Sequence, residues 1–223
     1  MHFDAVLFDF GETLLGRGDG VAALIDSARQ RGVDVTEEAA RRLWDEIQER
    51  GRTPEEMAKG RDLSPEAHRA CWTTLYEGAD VLADGVGAAL YEREISPQGW
   101  VPAPDAEPTL RALAGAGIKI GVVSDTGWDI RPVFVHHGLD RFVDAFVLSC
   151  EHGDVKPAPG LFLAACAALG VAPEHTLMVG DNPLSDGGAV DAGMSTLLLP
   201  VTEPGRRRGL DAVLRLVGLG ASA

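Results

Sequence analysis

Reactive side chains stand just beyond four apolar runs in this 223-residue chain. Ala5-Val6-Leu7-Phe8 ends at Asp9, and Ile118-Lys119-Ile120-Gly121-Val122-Val123 ends at Ser124. Lys156 comes shortly after Ala145-Phe146-Val147-Leu148, and Thr176-Leu177-Met178-Val179 runs into Asp181, with Asp186 close behind. A carboxylate set such as Asp9, Asp181 and Asp186 suits a hard cation such as Mg²⁺. A lysine and a hydroxyl beside it suit phosphate oxygens. A carboxylate can attack phosphorus and form an acyl phosphate when a metal and a lysine offset the charge repulsion.

The elements between these residues must bring them together. After Trp100 the apolar runs alternate with helical patterns: Asp105 to Ala116, ended by Gly117, then Ile130 to His137, Pro159 to Gly170, and a short helix from Pro183 to Gly193 before a strand at Thr196–Leu199. Such alternation predicts a parallel sheet covered on both faces, an α/β fold. Ligands bind outside the carboxyl ends of the strands of such a sheet, so Asp9, Ser124, Lys156 and Asp181 are expected along one edge.

The stretch from about 20 to 96 differs. Val21 to Ile25 opens one helix, and Thr36 caps another that carries Leu43, Trp44 and Ile47 on one face. Ser64-Pro65 starts a third with Cys71, Leu75 and Tyr76, and a fourth bears Val86, Leu90 and Tyr91. It carries no strand pattern. The expected organisation is a core from 1–15 and 100–223, with an all-helical insert over 16–99 after the first strand.

Composition narrows the partners. A net charge of −14 argues against nucleic-acid and anionic-membrane binding, because a polyanion is repelled. Nor is any apolar run long enough to span a bilayer. Cys71, Cys150 and Cys166 lie far apart, with no CxxC pair and no Cys/His cluster, so neither a zinc site nor a disulfide framework is expected. Reduced thiols and the absence of a secretory leader pattern make the expected location cytoplasmic. Arg206, Arg207 and Arg208 read as a solvated turn before the last helix. A monomer and a homodimer fit the sequence equally.

Phe8-Asp9-Phe10-Gly11-Glu12-Thr13-Leu14 resembles the first motif of the haloacid dehalogenase superfamily. Val122-Val123-Ser124-Asp125 resembles its second, Asp154-Val155-Lys156-Pro157 its third, and Val179-Gly180-Asp181-Asn182-Pro183-Leu184-Ser185-Asp186 its fourth. One motif alone is weak, whereas four in order on predicted strand ends are specific. The resemblance covers about 4–15 and 100–200. It implies a Rossmann-like core, and the insert resembles the family's first type of α-helical cap. It also implies a Mg²⁺-dependent phosphatase acting on a small phosphorylated metabolite. Asp9 would be nucleophile and metal ligand, the Gly11 carbonyl a second ligand, and Asp181 a third, with Asp186 supporting the metal or the lysine. Ser124 and Lys156 would hold the transferring phosphoryl group. The backbone after Asp9 would cradle the phosphate, and Thr13 would fix that loop.

Gly11 departs from the pattern. Phosphatase members usually carry a second aspartate there, which protonates the leaving oxygen and then activates water, a role worth about 10²- to 10⁴-fold. Three outcomes are open: Glu12 swings in, a water or a substrate group serves, or turnover is slow or absent. The last defines a rival reading, a phosphate- or metabolite-binding protein. Dehalogenases of the family usually have a bulky aromatic at this place and do not need the metal carboxylates, so Gly11 with Asp181 and Asp186 disfavours carbon–halogen chemistry. Trp128 and Arg131 are candidates for the pocket lining, with core packing or a surface ion pair as the alternative. Trp44, Trp72, Tyr76 and Tyr91 read as cap-packing residues, and His136 and His137 as helix-end residues rather than ligands.

Overall fold

A computed structural model describes residues 2–220. The first strand, β1 (Ala5–Phe8), is followed by the short β2 (Leu15–Arg17), then by helices α1 (Gly20–Arg29), α2 (Glu37–Gly51), α3 (Pro54–Met57), α4 (Pro65–Tyr76) and α5 (Val86–Glu94). Next come β3 (Trp100–Pro102), α6 (Ala106–Gly115), β4 (Lys119–Ser124), α7 (Arg131–His136), β5 (Ala145–Leu148) and α8 (Ser149–His152). The chain ends with α9 (Pro159–Leu169), β6 (Thr176–Gly180), β7 (Ser195–Leu198) and α10 (Asp211–Leu216).

Five strands form one parallel sheet in the order β5-β4-β1-β6-β7. The two-residue period of a strand divides its side chains between two layers. Val6, Phe8, Ile120, Val122, Leu177 and Val179 enter a cluster with Leu110, Leu113 and Phe134. Leu7, Val123, Val147 and Met178 enter another with Leu161, Phe162 and Ala165 of α9. Full burial of such a side chain contributes about 1.5–3 kcal/mol, so β1 is fixed in the sheet centre by its own composition. β1 therefore delivers Asp9 to the middle of the carboxyl edge, and the Asp9 amide donates to the Val179 carbonyl at 2.9 Å.

The helices α1 to α5 build a separate core around Leu24, Ala28, Ala40, Ile47, Leu75, Tyr76, Val86 and Leu90. Thr36 and Ser64 cap α2 and α4 by accepting from the amides of Ala39 and Ala67, as the sequence predicts. This helical cap leaves and rejoins the sheet through an antiparallel pair, β2 with β3, which no sequence pattern announces.

One predicted element is replaced. The helix expected from Pro183 to Gly193 is only a 3₁₀ turn over Asp186–Val190. Gly187 and Gly188 are poor helix formers, and Asp186 turns its carboxylate back onto the amides of Asp181 and Asn182 (3.1 and 3.0 Å) instead of letting the chain wind onward.

Candidate active site

The carboxyl edge and the cap enclose a cavity of about 1040 Å³. Asp9, Gly11, Glu12, Ser124, Lys156, Asp181 and Asp186 all line it, so the sheet gathers six of its predicted side chains and Gly11 as expected. Thr13 is fully buried beneath, and its hydroxyl donates to Asp181 Oδ1 at 3.3 Å.

Lys156 organises the centre. Its Nζ donates to Asp9 Oδ1 and to Asp186 Oδ1, each at 2.6 Å, and to the Val123 carbonyl at 3.4 Å. Its side chain and that of Asp186 are almost wholly buried. Burial works against the ammonium charge, yet the carboxylates of Asp9, Asp186 and Asp125 outweigh it and hold Lys156 above the usual lysine range. The lysine backbone is anchored too, because its amide donates to Asp125 Oδ1 at 2.9 Å. Asp125 is itself raised by burial, partly offset by Lys156.

The carboxylates crowd one another. Oxygens of Asp9, Asp181 and Asp186 all lie within 4.8 Å. Burial, and then the charges of Asp186 and Asp181, push the Asp9 carboxyl upward against the pull of Lys156. Asp181 is raised by burial and by Asp186. Three carboxylates facing one ammonium leave negative charge uncompensated, and their oxygens are the donor set a hard divalent cation takes, so the residues present fit such an ion. Asp9 and Asp181 have the freer oxygens. Asp186 spends Oδ1 on Lys156 and Oδ2 on the amides of Asp181 and Asn182, which gives it the supporting position. That geometry depends on Gly180, where a Cβ would stand 2.1 Å from Asp186 Oδ2.

Glu12 and the arginine run come out differently from expectation. Glu12 has φ +57, an uncommon left-handed backbone for a side-chain-bearing residue. Its Oε2 accepts from Arg208 Nη2 at 2.6 Å and its Oε1 from the Arg17 amide at 3.4 Å. Arg206 and Arg207 are exposed, as a solvated turn requires, but Arg208 is buried and also donates to the Thr202 carbonyl at 2.8 Å. Glu12 is thus held as the counter-ion of a buried guanidinium, which takes it out of the role of free proton carrier.

Other residues sort as packing or lining. Trp128 lines the cavity and packs edge-on against Phe10. Arg131 instead makes the surface ion pair, bidentate to Glu151 at 2.7 and 2.8 Å. Tyr76 and Tyr91 pack within the cap, while Trp44 and Trp72 do this and also face the cavity. His137 Nε2 lies 3.0 Å from the Trp100 carbonyl oxygen, a structural contact.

Several cavity residues carry no sequence signal. Arg17 stacks over Trp72 at 4.8 Å and pairs with Glu94 at 2.7 Å; Arg61 lies on Trp72 at 4.9 Å. Asp62 lies beside Arg61 on the loop between α3 and α4 and is pushed up to about 6 by burial, against Arg61 and with the help of Asp125. None belongs to a motif or a periodic pattern, and only the cap's closure onto the sheet brings them to Asp9.

Comparison with known proteins gives the family of the chain. The chain is 31% identical over 207 residues to a glyceraldehyde 3-phosphate phosphatase of Methanopyrus kandleri, covering 86% of this chain and 82% of that protein. A haloacid dehalogenase-superfamily phosphatase from Thermococcus onnurineus superposes with a TM-score of 0.63 at 25% identity over 100% of both chains. A dehalogenase structure superposes with a TM-score of 0.68 at 22% identity over 96% of each chain, so fold alone does not separate the two chemistries. The family model described as haloacid dehalogenase-like hydrolase matches residues 3–193, and the chain belongs to that family of hydrolases.

Proposed function

We propose that the protein is a Mg²⁺-dependent phosphomonoesterase that passes a phosphoryl group through Asp9. The observation that carries this reading is Lys156, held 2.6 Å from both Asp9 and Asp186 at the floor of the cavity. In this reading an Asp9 oxygen attacks phosphorus in line with the leaving oxygen. Lys156 and the Ser124 hydroxyl hold the non-bridging oxygens, and the amides of the loop after Asp9 receive the charge that develops. Asp9, the Gly11 carbonyl and Asp181 would hold the metal, with Asp186 keeping Asp181 and Lys156 in place. Bound Mg²⁺ would neutralise phosphate charge and lower the repulsion between the ester and Asp9.

The Methanopyrus relative acts, by its name, on a small phosphorylated aldehyde, which supports a small phosphorylated metabolite as substrate here. The cap, whose Trp44, Trp72 and Arg17 face the cavity, would exclude water and select the substrate. The three free cysteines go with action in the cytoplasm.

The test is phosphate release from a panel of phosphomonoesters with Mg²⁺ and with chelator. Release that needs Mg²⁺ and disappears in Asp9→Asn supports the reading. Equal release by Asp9→Asn sinks it, and binding of Mg²⁺ and a phosphate analogue without turnover by the native protein marks a binding protein instead.

A further inference from the structure

Gly11 leaves this site without the side chain that handles the leaving group's proton, and the cavity offers few replacements. Glu12 is bonded to Arg208. Glu94 is bonded to Arg17 and to the Tyr76 hydroxyl. Asp125 accepts the Lys156 amide. His68 is buried and held neutral, its pKa lowered to about 3 by burial and then by Arg17, so it has no proton to give at neutral pH. Asp45 lines the cavity from α2 but is exposed to solvent, without the burial that would keep a carboxyl protonated.

Asp62 is different. Among the described residues its carboxylate accepts no hydrogen bond; the nearest cation, Arg61 Nε, is 3.7 Å away. Its side chain is 22% exposed and lines the cavity shared with Asp9. Its backbone is locked to the core. The Ser149 hydroxyl donates to the Asp62 carbonyl at 2.5 Å while accepting from the Thr126 amide at 2.8 Å. Thr126 is two residues beyond Ser124. Gly127 lies directly under the same cap loop, where a Cβ would stand 2.3 Å from His68 Cβ and 2.6 Å from the Arg61 carbonyl. The seam thus presses the Asp62 loop onto the turn just after Ser124.

We propose that Asp62, supplied by the cap, is the general acid and base of this enzyme, in place of the side chain absent at position 11. The inference rests on the phosphomonoesterase reading above. As the bond from Asp9 to phosphorus forms and the ester P–O bond breaks, the leaving oxygen takes the proton of the Asp62 carboxyl and departs as an alcohol. Water then attacks the aspartyl phosphate and gives a proton to the Asp62 carboxylate. The P–O bond to Asp9 breaks, and phosphate leaves with both carboxyl groups restored. The groups facing Asp62 are Arg61 on its own loop, Arg17 on β2, Glu94 on α5 and Asp125 after β4. Burial outweighs the two cations and keeps a share of Asp62 protonated near pH 6, as an acid at this place requires.

The test is the leaving-group dependence of kcat/KM, which reports the step that breaks the ester bond. An alkyl ester such as glycerol phosphate needs the proton, whereas 4-nitrophenyl phosphate does not. With Mg²⁺ present, Asp62→Asn is expected to lose about 10²-fold or more on the alkyl ester and less than about 3-fold on the nitrophenyl ester, with partial recovery in Asp62→Glu. The native enzyme's alkyl-ester rate should fall as pH rises through about 6, a limb missing from the nitrophenyl profile. Equal losses on both esters, or none on either, overturn the role of Asp62. Failure of the native protein to hydrolyse either ester overturns the phosphatase reading and this proposal with it.

Discussion

Arg208 and Glu12 are 196 positions apart and meet at 2.6 Å, three residues beyond Asp9. The guanidinium side chain is 1% exposed and the carboxylate 34%, so the pair joins the C-terminal segment to the loop just after β1. Asp105 holds the same segment from below, accepting from the amides of Arg208, Gly209 and Leu210 at 2.9–3.0 Å. The arrangement fixes the unusual backbone of Glu12, and with it the amides that would face a phosphate.

Glu12→Gln keeps the shape and a hydrogen bond to Arg208. It should leave kcat/KM within about 3-fold of the native value, because a residue tied to a guanidinium is not carrying the proton. A loss near 10²-fold with an intact fold would return Glu12 to the acid/base role. Arg208→Met, by contrast, strands the Glu12 carboxylate and should cost about 2 kcal/mol in urea unfolding as well as activity.

Gly11→Asp restores the usual acid and has room to do so. A Cβ at Gly11 would stand 3.7 Å from the Trp100 ring, an ordinary contact, and the backbone there is not left-handed. The variant should gain about 10-fold or more on alkyl esters and should rescue Asp62→Asn, since either carboxyl can serve. No gain in either background, with Mg²⁺ binding unchanged, would mean that proton transfer does not limit the reaction.

Gly180 is where the fourth motif passes closest to its own aspartate. Gly180→Ala places a methyl group 2.1 Å from Asp186 Oδ2, so Asp186 must move, and Lys156 with it. A displacement near 1 Å at such a site costs about 10²-fold in rate. Asp186→Asn tests the same link without steric force: it keeps a carbonyl for the amides but removes the charge that helps hold Lys156. Both should lower kcat more than they raise KM, and an unchanged kcat in both would remove Asp186 from the positioning of Lys156.

Asp9, Ser124, Lys156 and Asp181 are legible in the sequence because a parallel sheet sends every strand's carboxyl end to one edge, so short apolar runs suffice to place the residues just beyond them. Asp62 is not legible. It sits in a loop without periodicity, and its nearness to Ser124 comes from the Ser149 latch and from Gly127, contacts 87 positions and more than 60 positions away in sequence. Arg208 is hidden by its neighbours, since two of three consecutive arginines are solvated as composition suggests and only the third turns inward. The β2–β3 pair escapes because three-residue strands carry no readable alternation.

His68 ties the cap's stability to pH. It is 3% exposed, its Nδ1 lies 3.2 Å from the Tyr91 hydroxyl, and burial lowers its pKa to about 3 from an ordinary 6.5. Below pH 6.5 the unfolded chain binds a proton that the folded cap refuses, so this residue's contribution is complete above 6.5 and is lost as pH falls toward 3. The slope for one such proton is at most about 1.4 kcal/mol per pH unit. His68→Gln keeps a hydrogen-bonding group for Tyr91 and removes the titration. The native protein should therefore lose stability relative to His68→Gln between about pH 6.5 and 4, measured by urea unfolding at each pH. Taking the difference between the two proteins cancels the carboxylates, whose titration they share. A constant difference over that range would show that His68 takes up its proton in the folded state, and that the seam against Gly127 opens far enough to let water reach it.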